Sequence, residues 1–469
     1  IHTATSTWTA ALAAGLSYGS LMLTGFRGFK QFGLIGLMGM VLCWISAFTL
    51  LPAFLTLLDR MHPLVKPWPG GRPPEKKSLT QGITFLLNRY TRSIFFFSTL
   101  ATFLSFAMLF KINPGLLETD LSKLRNKESM ISGSASLWVH LDEIFQRNLL
   151  PLVVLPKSQQ NSQKIAQLLR NKAQKEGSES GITSVQTLAD FIPTDQVRKI
   201  QILKEIQKLL PPRLIHRLTP ADQKLVSEFI QPKVLTPFGQ KDLPPLVLRK
   251  FTEKDGSVGK LVLVEPPSTR ITADADALVR FMTELRAVAD SVEPGAPVAG
   301  TLAISADMIQ AISHDGPRAT LFAFIAVVVL VILLFRNVKT ISLVLFALLL
   351  GVLWLAALMI GFDLKVNLIN FIALPITFGI GVDYGVNIFQ RYRETQNEDI
   401  LEVIRSTGSA VGLCSFSTIV GYMSLLLAGN QGFVSFGLLA VLGELTCVVA
   451  AIISLPAYLL YRKTWRRSG

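Results

Sequence analysis

The sequence predicts a polytopic α-helical membrane protein, with eight membrane-crossing runs and an α+β domain inserted between the third and the fourth. Three observations carry that prediction. The 469 residues are 50% hydrophobic and only 17% charged, with a mean hydropathy of +0.44; a soluble chain of this size carries about 25% charge. The charge is segregated, with apolar runs of spanning length towards both ends and a polar middle. The basic residues fall in short segments that flank the apolar runs, the positive-inside pattern.

That last placement also disposes of the net charge of +14 as a sign of nucleic-acid binding. The three cysteines, Cys43, Cys414 and Cys447, all lie within apolar runs. Neither disulfides nor a cysteine-based metal site is therefore expected. No GxxxxGK[ST] loop occurs, so ATP is not the expected energy source, and no nucleophile–histidine or catalytic zinc pattern suggests an enzyme. The chain opens on Ile1 without a start methionine or signal peptide, which reads as a fragment or a processed product.

In chain order, the first apolar run is about Ser6–Gly25, rich in Ala, Gly and Ser, and the second about Phe32–Leu58. Each has roughly the 20 residues that a span needs. Gly33, Gly36 and Gly39 line one face of the second, a pattern that permits close helix contact. Arg27 and Lys30 sit in a tight turn between the two. Asp59–Arg92 holds seven basic residues against two acidic ones. Within it Pro67–Pro74 (PWPGGRPP) is a linker, since proline and glycine forbid a packed element there. Leu79–Tyr90 reads as a short amphipathic helix lying on the membrane, and Ser93–Ile112 as the third span.

Asn113–Pro317 is the polar middle, long enough for one or two small domains. Leu149–Leu155 and Gly259–Val264 read as strands, and Pro294–Ile304 offers a further one. Gln159–Lys175, the later part of Ser184–Leu210, and Ile271–Val292 read as helices. The alternation predicts an α+β domain of βαβ type. Ala306–Ile312 is a short helix leading back to the membrane through His314, Asp315 and Gly316. Five spans follow, at about Arg318–Phe335, Ile341–Gly361, Asn367–Gln390, Ser406–Ala428 and Phe433–Tyr461. Basic residues mark alternate loops, at Arg336 and Lys339, at Arg391, Arg393 and Arg405, and in the tail after Tyr461. Both ends and Asp59–Arg92 are accordingly expected in the cytoplasm and the polar middle outside it.

An internal repeat underlies this order. Shifting the first 60 residues by 404 lays them on the last 60 without a gap. Gly25, Gly28, Phe29, Phe32 and Gly33 fall on Gly429, Gly432, Phe433, Phe436 and Gly437, and Leu51, Pro52 and Ala53 on Leu455, Pro456 and Ala457. Tyr18 and Ser20 fall on Tyr422 and Ser424. The polarity is unchanged, so the expected repeat is parallel, with halves related by an axis along the membrane normal.

The candidate site is the stretch Asn370–Arg393, NFIALPITFGIGVDYGVNIFQRYR, an apolar run that carries Asp383. A carboxylate in hydrocarbon costs several kcal/mol unless it pairs, sits in a wet cavity or takes up a proton. Protonation can then switch its partners between two packings. Asn387 lies one turn on, on the same face, and serves either a relay or packing. Tyr384 points away from Asp383, towards a partner across an interface. Gly379, Gly381 and Gly385 allow either close helix approach or a hinge. Glu444 lies well inside the last span and falls opposite Met40 in the repeat. Asn367 and Asn370 open their span at the interface, and His314 near the membrane re-entry is more often a structural histidine than a titrating one.

GIGVDYGVNIFQRYRE at Gly379–Glu394, STGSAVGLCSFSTIVGYMSLL at Ser406–Leu426 and GFVSFGLLAVLGELTCVVAAIISLPA at Gly432–Ala457 resemble the resistance-nodulation-division (RND) superfamily. Within it they resemble the MMPL branch and its hopanoid-transporter-like members; SVQTLADFIPTDQVRKI at Ser184–Ile200 is similar to the latter. The resemblance implies a proton relay at the Asp-Tyr pair of the fourth span of each half, here Asp383 and Tyr384. Hydroxyls of the adjacent fifth span are implied nearby, here Ser415, Ser417 and Thr418, whose 404-shifted partners are Ala11, Ala13 and Ala14. The first-half aspartate would precede Ile1, so the missing N-terminal half of the same protein becomes an expected partner, beside membrane lipids and a possible second copy of the chain.

The expected organisation is then two last helices of a first repeat (1–60), a cytoplasmic linker (61–92), a span (93–112), an extracytoplasmic porter domain (113–317), five helices of the second repeat (318–461) and a basic tail (462–469). The resemblance implies export of hydrophobic or lipidic molecules, hopanoid-like lipids among them, driven by the proton gradient across a bacterial inner membrane and without a bound cofactor. Two alternatives remain at this point. One is a sterol-sensing-like or signalling protein of the same architecture, and the other a protein-translocation accessory.

Overall fold

The structure, a computed structural model, describes residues 2–61, 81–111, 151–209, 236–266, 274–394 and 400–468, with shorter pieces between 117 and 144 and between 219 and 226. Pro67–Pro74 and the first residues expected for the helix at Ile271 lie outside the described residues, as do Leu149 and Leu150. Contacts divide the chain into two units, 1–138 with 307–469, and 139–306.

The first unit opens with helices α1 (His2–Gly19) and α2 (Arg27–Met61), joined by a 3₁₀ turn at Ser20–Leu23. Helix α3 (Gln81–Arg89) is the expected amphipathic helix, and one of its apolar side chains, Leu87, is turned into protein. Leu87 is fully buried in a cluster with Tyr384, Val403 and Ile404, while Phe85 and Leu86 stay exposed. Helices α4 (Thr91–Leu109) and the short α5 (Lys127–Ile131) complete this part.

The second unit is a four-stranded sheet with helices. Its elements are β1 (Leu152–Val154), α6 (Gln159–Glu176), β2 (Ser184–Gln186), α7 (Gln196–Leu209), α8 (Pro245–Lys250), β3 (Val262–Glu265), α9 (Ala275–Val292) and β4 (Val298–Ala299). The spatial order is β2-β3-β1-β4, with every neighbouring pair antiparallel. The two β-α-β passes, β1-α6-β2 and β3-α9-β4, each skip one strand, which is the split βαβ arrangement. Strand alternation divides the core. Val153 and Leu263 meet Leu188, Leu243 and Phe251, which belong to the segment between β2 and β3. Leu152, Val154, Val262 and Val264 point to the opposite face and are buried. On α6 and α9 the buried apolar residues recur at helical spacing, Ile165 and Leu169 on one, Leu278, Met282, Leu285 and Ala289 on the other.

Strand β3 starts three residues later than the sequence suggests, because Gly259 has φ +88°. There its N–H bonds the carbonyl of Phe251 and closes a small hairpin instead. Strand β2 is a three-residue edge strand that apolar alternation is too short to reveal.

Helix α10 (Thr301–Gln310) follows β4 and runs into a π-helical turn at Ala311–Asp315. The first unit then closes with α11 (Gly316–Leu334), α12 (Val338–Gly361), α13 (Ala373–Glu394), α14 (Ile400–Met423) and α15 (Gln431–Val449), then a π turn (Ala450–Ser454) and α16 (Leu455–Ser468). Asn337 and Asn430 cap α12 and α15 by accepting backbone N–H groups of their first turns. Helix α14 starts six residues before the expected Ser406. Val403 and Ile404 are fully buried there, while Glu402 and Arg405 leave on other faces.

Seven helical stretches among the described residues are long and apolar enough to cross a membrane: 27–61, 91–109, 301–334, 338–361, 370–394, 400–427 and 431–464. The Ala- and Thr-rich α1, expected as an eighth span, is helical but not among them. The protein is thus a polytopic, largely α-helical membrane protein with a small β-sheet. Helix α13 is the central element. Its apolar stretch is 72% buried, against 0% for the corresponding stretch of α2, whose side chains face outwards.

The 404-residue shift reappears as matching local structure. Helices α1 and α14 end at shift-related residues, Gly19 and Met423, and each passes into a 3₁₀ turn, Ser20–Leu23 and Ser424–Leu427. Tyr18 packs on Phe32 with ring centroids 5.9 Å apart, and Tyr422 on Phe436 at 6.0 Å. A side chain on Gly33 would strike the carbonyl of Tyr18, and one on Gly437 the carbonyl of Tyr422. The copies part at the proline. Helix α2 runs through Pro52 without a break, whereas the chain before Pro456 widens into the π turn, which accommodates a residue that has no N–H to donate.

Candidate functional site

Helix α13 is held in the middle of the first unit by two glycine contacts. A side chain on Gly379 would come within 2.5 Å of Ser17 Oγ and 2.7 Å of the Ala13 carbonyl, so α1 crosses α13 there at backbone distance. On another face, a side chain on Gly381 would meet Cys447 Sγ at 2.7 Å and Leu348 at 3.0 Å. Close packing therefore requires these two glycines. Gly385 differs, since a methyl group there would make ordinary contact with Val344 at 3.4 Å or more.

Asp383 lies one turn beyond Gly379. Asn387 donates its Nδ2 to Asp383 Oδ1 at 2.6 Å and to the Asp383 carbonyl at 3.0 Å. Among the described residues no basic side chain forms an ion pair with Asp383. The side-chain partner of the carboxylate among the described residues is thus an amide dipole and not a counter-charge.

Tyr384 turns the other way, as adjacent residues on a helix must. It is 2% exposed, among Ile388, Ile400, Val403 and Cys447. Its hydroxyl is buried and meets no hydrogen-bond partner among the described residues. Ser415 on α14 is likewise buried, with an unpartnered hydroxyl. Thr418 and Ser417 spend their hydroxyls on the carbonyl of Cys414 in their own helix. Helix α14, which carries these residues, packs against α13.

Glu444 on α15 is 4% exposed, and its Oε1 has no hydrogen-bond partner among the described residues. Helices α15 and α13 run in parallel register, with Gly443 against Thr377 and Cys447 against Gly381. Glu444 is therefore level with Phe378, about 7 Å up the axis from Asp383 at 1.5 Å per residue.

The sequence does not reveal how the N-terminal end of α13 is built. Asn367 and Asn370, expected at the interface, are buried. Both donate to Ser435 Oγ at 2.8 Å, while their side-chain oxygens accept backbone N–H groups of the turn. This network pins the start of α13 to α15. The NxxN spacing was the available signal, because an Asn that accepts from its own following turn is a helix-start motif. His314 is exposed and touches Asp315 Oδ1 at 3.3 Å, and Asp315 Oδ2 accepts the N–H of Gly25 at 2.7 Å. Among the described residues no group of three potential metal ligands occurs.

Residues 154–468 match the MMPL family. Among curated proteins the chain is similar to the hopanoid transporter HpnN of Rhodopseudomonas palustris, with 20% identity over 509 residues, covering 96% of this chain and 55% of that protein. It is similar also to the hopanoid transporter HpnN of Burkholderia multivorans, with 24% identity over 521 residues, covering 95% and 54%. The chain thus spans about half the length of these curated relatives. Among solved structures it resembles the hedgehog release protein Disp from the water bear Hypsibius dujardini, with a TM-score of 0.53, 14% identity and coverage of 98% of this chain and 58% of that one. At that identity the likeness is one of fold.

Proposed function

The chain belongs to the MMPL family, and on that premise we propose that it is part of a membrane transporter that exports hydrophobic or lipidic molecules by using the proton gradient. Asp383 is the group that takes up and releases the proton. The observation that carries this assignment is a carboxylate inside the most enclosed apolar helix, held by Asn387 and by no cation among the described residues. In such surroundings the charged and neutral forms differ strongly in solvation, so gain or loss of one proton changes which packing of α13 is favoured. Transport, not catalysis, is the activity of such a family member.

Lipidic cargo, with a hopanoid-like lipid as the first candidate, is suggested by the two curated relatives. The unit 139–306 would lie outside the cytoplasm of a bacterial inner membrane, as the basic loops at Arg336, Lys339 and Arg405 suggest. Eight spans in a parallel repeat suit the matched local structures at Tyr18 and Tyr422. Tyr384 and Ser415, with buried unpartnered hydroxyls, are the relay groups nearest in kind to Asp383, and Thr418 follows if its hydroxyl leaves Cys414. The test is Asp383→Asn in the full-length protein, reconstituted in vesicles with a pH-sensitive dye inside. Proton flux under an imposed gradient should collapse. Flux unchanged by the substitution would leave a sterol-sensing or signalling role of the same architecture as the better account.

A further inference from the structure

A second carboxylate, Glu444, lies enclosed in the same bundle without a role in the mechanism above. It borders a small space shared by Thr377 and Ile380 of α13, Tyr422 of α14, and Phe436 and Ala440 of α15. That space leaves about 10 Å³ open to a water centre, room for about one molecule. Tyr422 and its repeat-related partner Tyr18 pack against the same buried cluster. Thr377 has its hydroxyl hydrogen on the Ala373 carbonyl at 2.8 Å, so towards the space it offers only lone pairs.

We propose that Glu444 is a second proton-binding site of the transporter, set on the outer side of Asp383 and fed through the Tyr18–Tyr422 pair. The proposal rests on the assignment of Asp383 as proton carrier. Its geometry has three parts. The carboxyl is 4% exposed and has one oxygen that no described group satisfies. A buried carboxyl in that state is costly as an anion and far less so as an acid. The register of α15 on α13 sets Glu444 level with Phe378, about one and a half turns from Asp383, so both cannot be ionised without mutual repulsion. Ile376, Thr377, Ile380 and Asp383 lie along one side of α13 at i, i+1, i+4 and i+7, so the space beside Glu444 and the aspartate share a face.

Among the described residues the groups facing Glu444 contain no cation to hold it ionised. Helix α13 presents Thr377 and Asp383, α14 presents Tyr422, and α1 presents Tyr18 beside it. Its own helix presents Thr446 and Cys447, and α12 has Lys339 as its single charged residue, at its first turn. Glu118, Lys123, Asp363 and Lys365 line a separate cavity at the outer end of α15, around Gln431 and Ser435, more than two helical turns from Glu444. In the proposed step the O–H bond of the Glu444 carboxyl breaks, the proton crosses by way of a water in the space beside Ile380, and an O–H bond forms on the Asp383 carboxylate. The resulting Glu444 carboxylate is reprotonated from the outer side by way of the tyrosine hydroxyls. The two carboxyls thus carry one proton inwards per exchange and are never both charged.

The test uses the full-length protein in vesicles with a trapped pH-sensitive dye and an imposed pH gradient, comparing Asp383→Asn, Glu444→Gln, Glu444→Asp and Tyr422→Phe. Glu444→Gln keeps size and packing but cannot release a proton. It should slow proton flux by about a hundredfold or more, within the two to four decades that a direct proton donor contributes, and flatten its pH profile. Glu444→Asp should restore part of the flux, and Tyr422→Phe should slow it in the same direction. A purely structural carboxyl would be replaced by the amide without loss, so a wild-type rate and pH profile for Glu444→Gln, with Asp383→Asn inactive, overturns this proposal and leaves Asp383 standing. Full flux in Asp383→Asn overturns both. As a measurement independent of turnover, dicyclohexylcarbodiimide, which adds to protonated carboxyls in apolar surroundings, should modify Glu444 in membranes, less as pH rises. No adduct on the peptide holding Glu444 counts against the proposal.

Discussion

Asn387 gives its side-chain amide to Asp383 across one turn of the same helix, Nδ2 to Oδ1 at 2.6 Å. The partner of the half-buried carboxyl is thus fixed by α13 itself and moves with it. Helix α14 contributes the Ser415 hydroxyl, which has no hydrogen-bond partner among the described residues.

Replacing Asn387 by leucine should therefore strip Asp383 of that donor without altering the fold. The expected loss is about 1–3 kcal/mol, the cost of an unsatisfied buried acceptor, read as a lower denaturation midpoint in detergent. Asp383→Asn should cost much less in the same assay, because the new amide still accepts from Asn387, yet it should remove proton flux by about a hundredfold or more.

The crossing of α1 and α13 at Gly379 predicts a second outcome. Gly379→Leu would drive a side chain into Ser17 and the Ala13 backbone and should destabilise the protein by about 1–3 kcal/mol. Gly385→Ala, where a methyl group meets only ordinary contacts with Val344, should be close to neutral. Thermal denaturation of both variants separates a packing role from a hinge, since a hinge would make the two behave alike.

The repeat supplies a paired prediction. Gly33→Ala meets the carbonyl of Tyr18 at 2.6 Å, and Gly437→Ala meets that of Tyr422 at 2.8 Å. Both should destabilise, by similar amounts of about 1–3 kcal/mol, although one lies near the start of the chain and the other near its end. Unequal shifts in the denaturation midpoint would mean that the two copies carry different loads.

In the second unit, Glu293 accepts the backbone N–H of Lys157 and the side-chain amide of Asn161. These bonds, the Asn161 amide first, hold its carboxyl below the ordinary glutamate value. Because the folded value is the lower one, the stabilisation is present above the unfolded value and is lost as pH falls through the folded one. Glu293→Gln should therefore flatten the acid limb of a stability-versus-pH curve and leave the neutral region with the same slope.

Sidedness is open to labelling. In a cysteine-free background, Ser291→Cys, on the exposed face of α9, should react with an impermeant maleimide in intact spheroplasts. Arg336→Cys should react only after permeabilisation. The reverse pattern would invert the topology drawn from the basic loops.

Most of the fold class was legible because each part of it is a one-dimensional property. Apolar runs of 20 residues, basic flanks and strand–helix alternation are local, and a shift of 404 residues is arithmetic on letters. Asp383 stood out for the same reason, since a charge inside an apolar run is visible without coordinates, and the i, i+4 spacing already put Asn387 on its face. Sequence reasoning fell short wherever a partner comes from elsewhere in the chain. Asn367 and Asn370 looked interfacial and are buried on Ser435. The amphipathic α3 looked like a membrane-surface helix, yet Leu87 is inside the protein.

By itself, then, the sequence determined a membrane protein with a βαβ-type domain, an internal repeat and one costly carboxylate, because hydrophobic length, charge placement and self-similarity need no third dimension. Only the tertiary structure decided that α13 is the enclosed centre, that Gly379 meets the backbone of α1 and that Gly381 makes room for Cys447 and Leu348. It also set Glu444 in line with Asp383. Those are matters of which faces meet, and the burial that makes a carboxyl or a hydroxyl costly is supplied by residues hundreds of positions away.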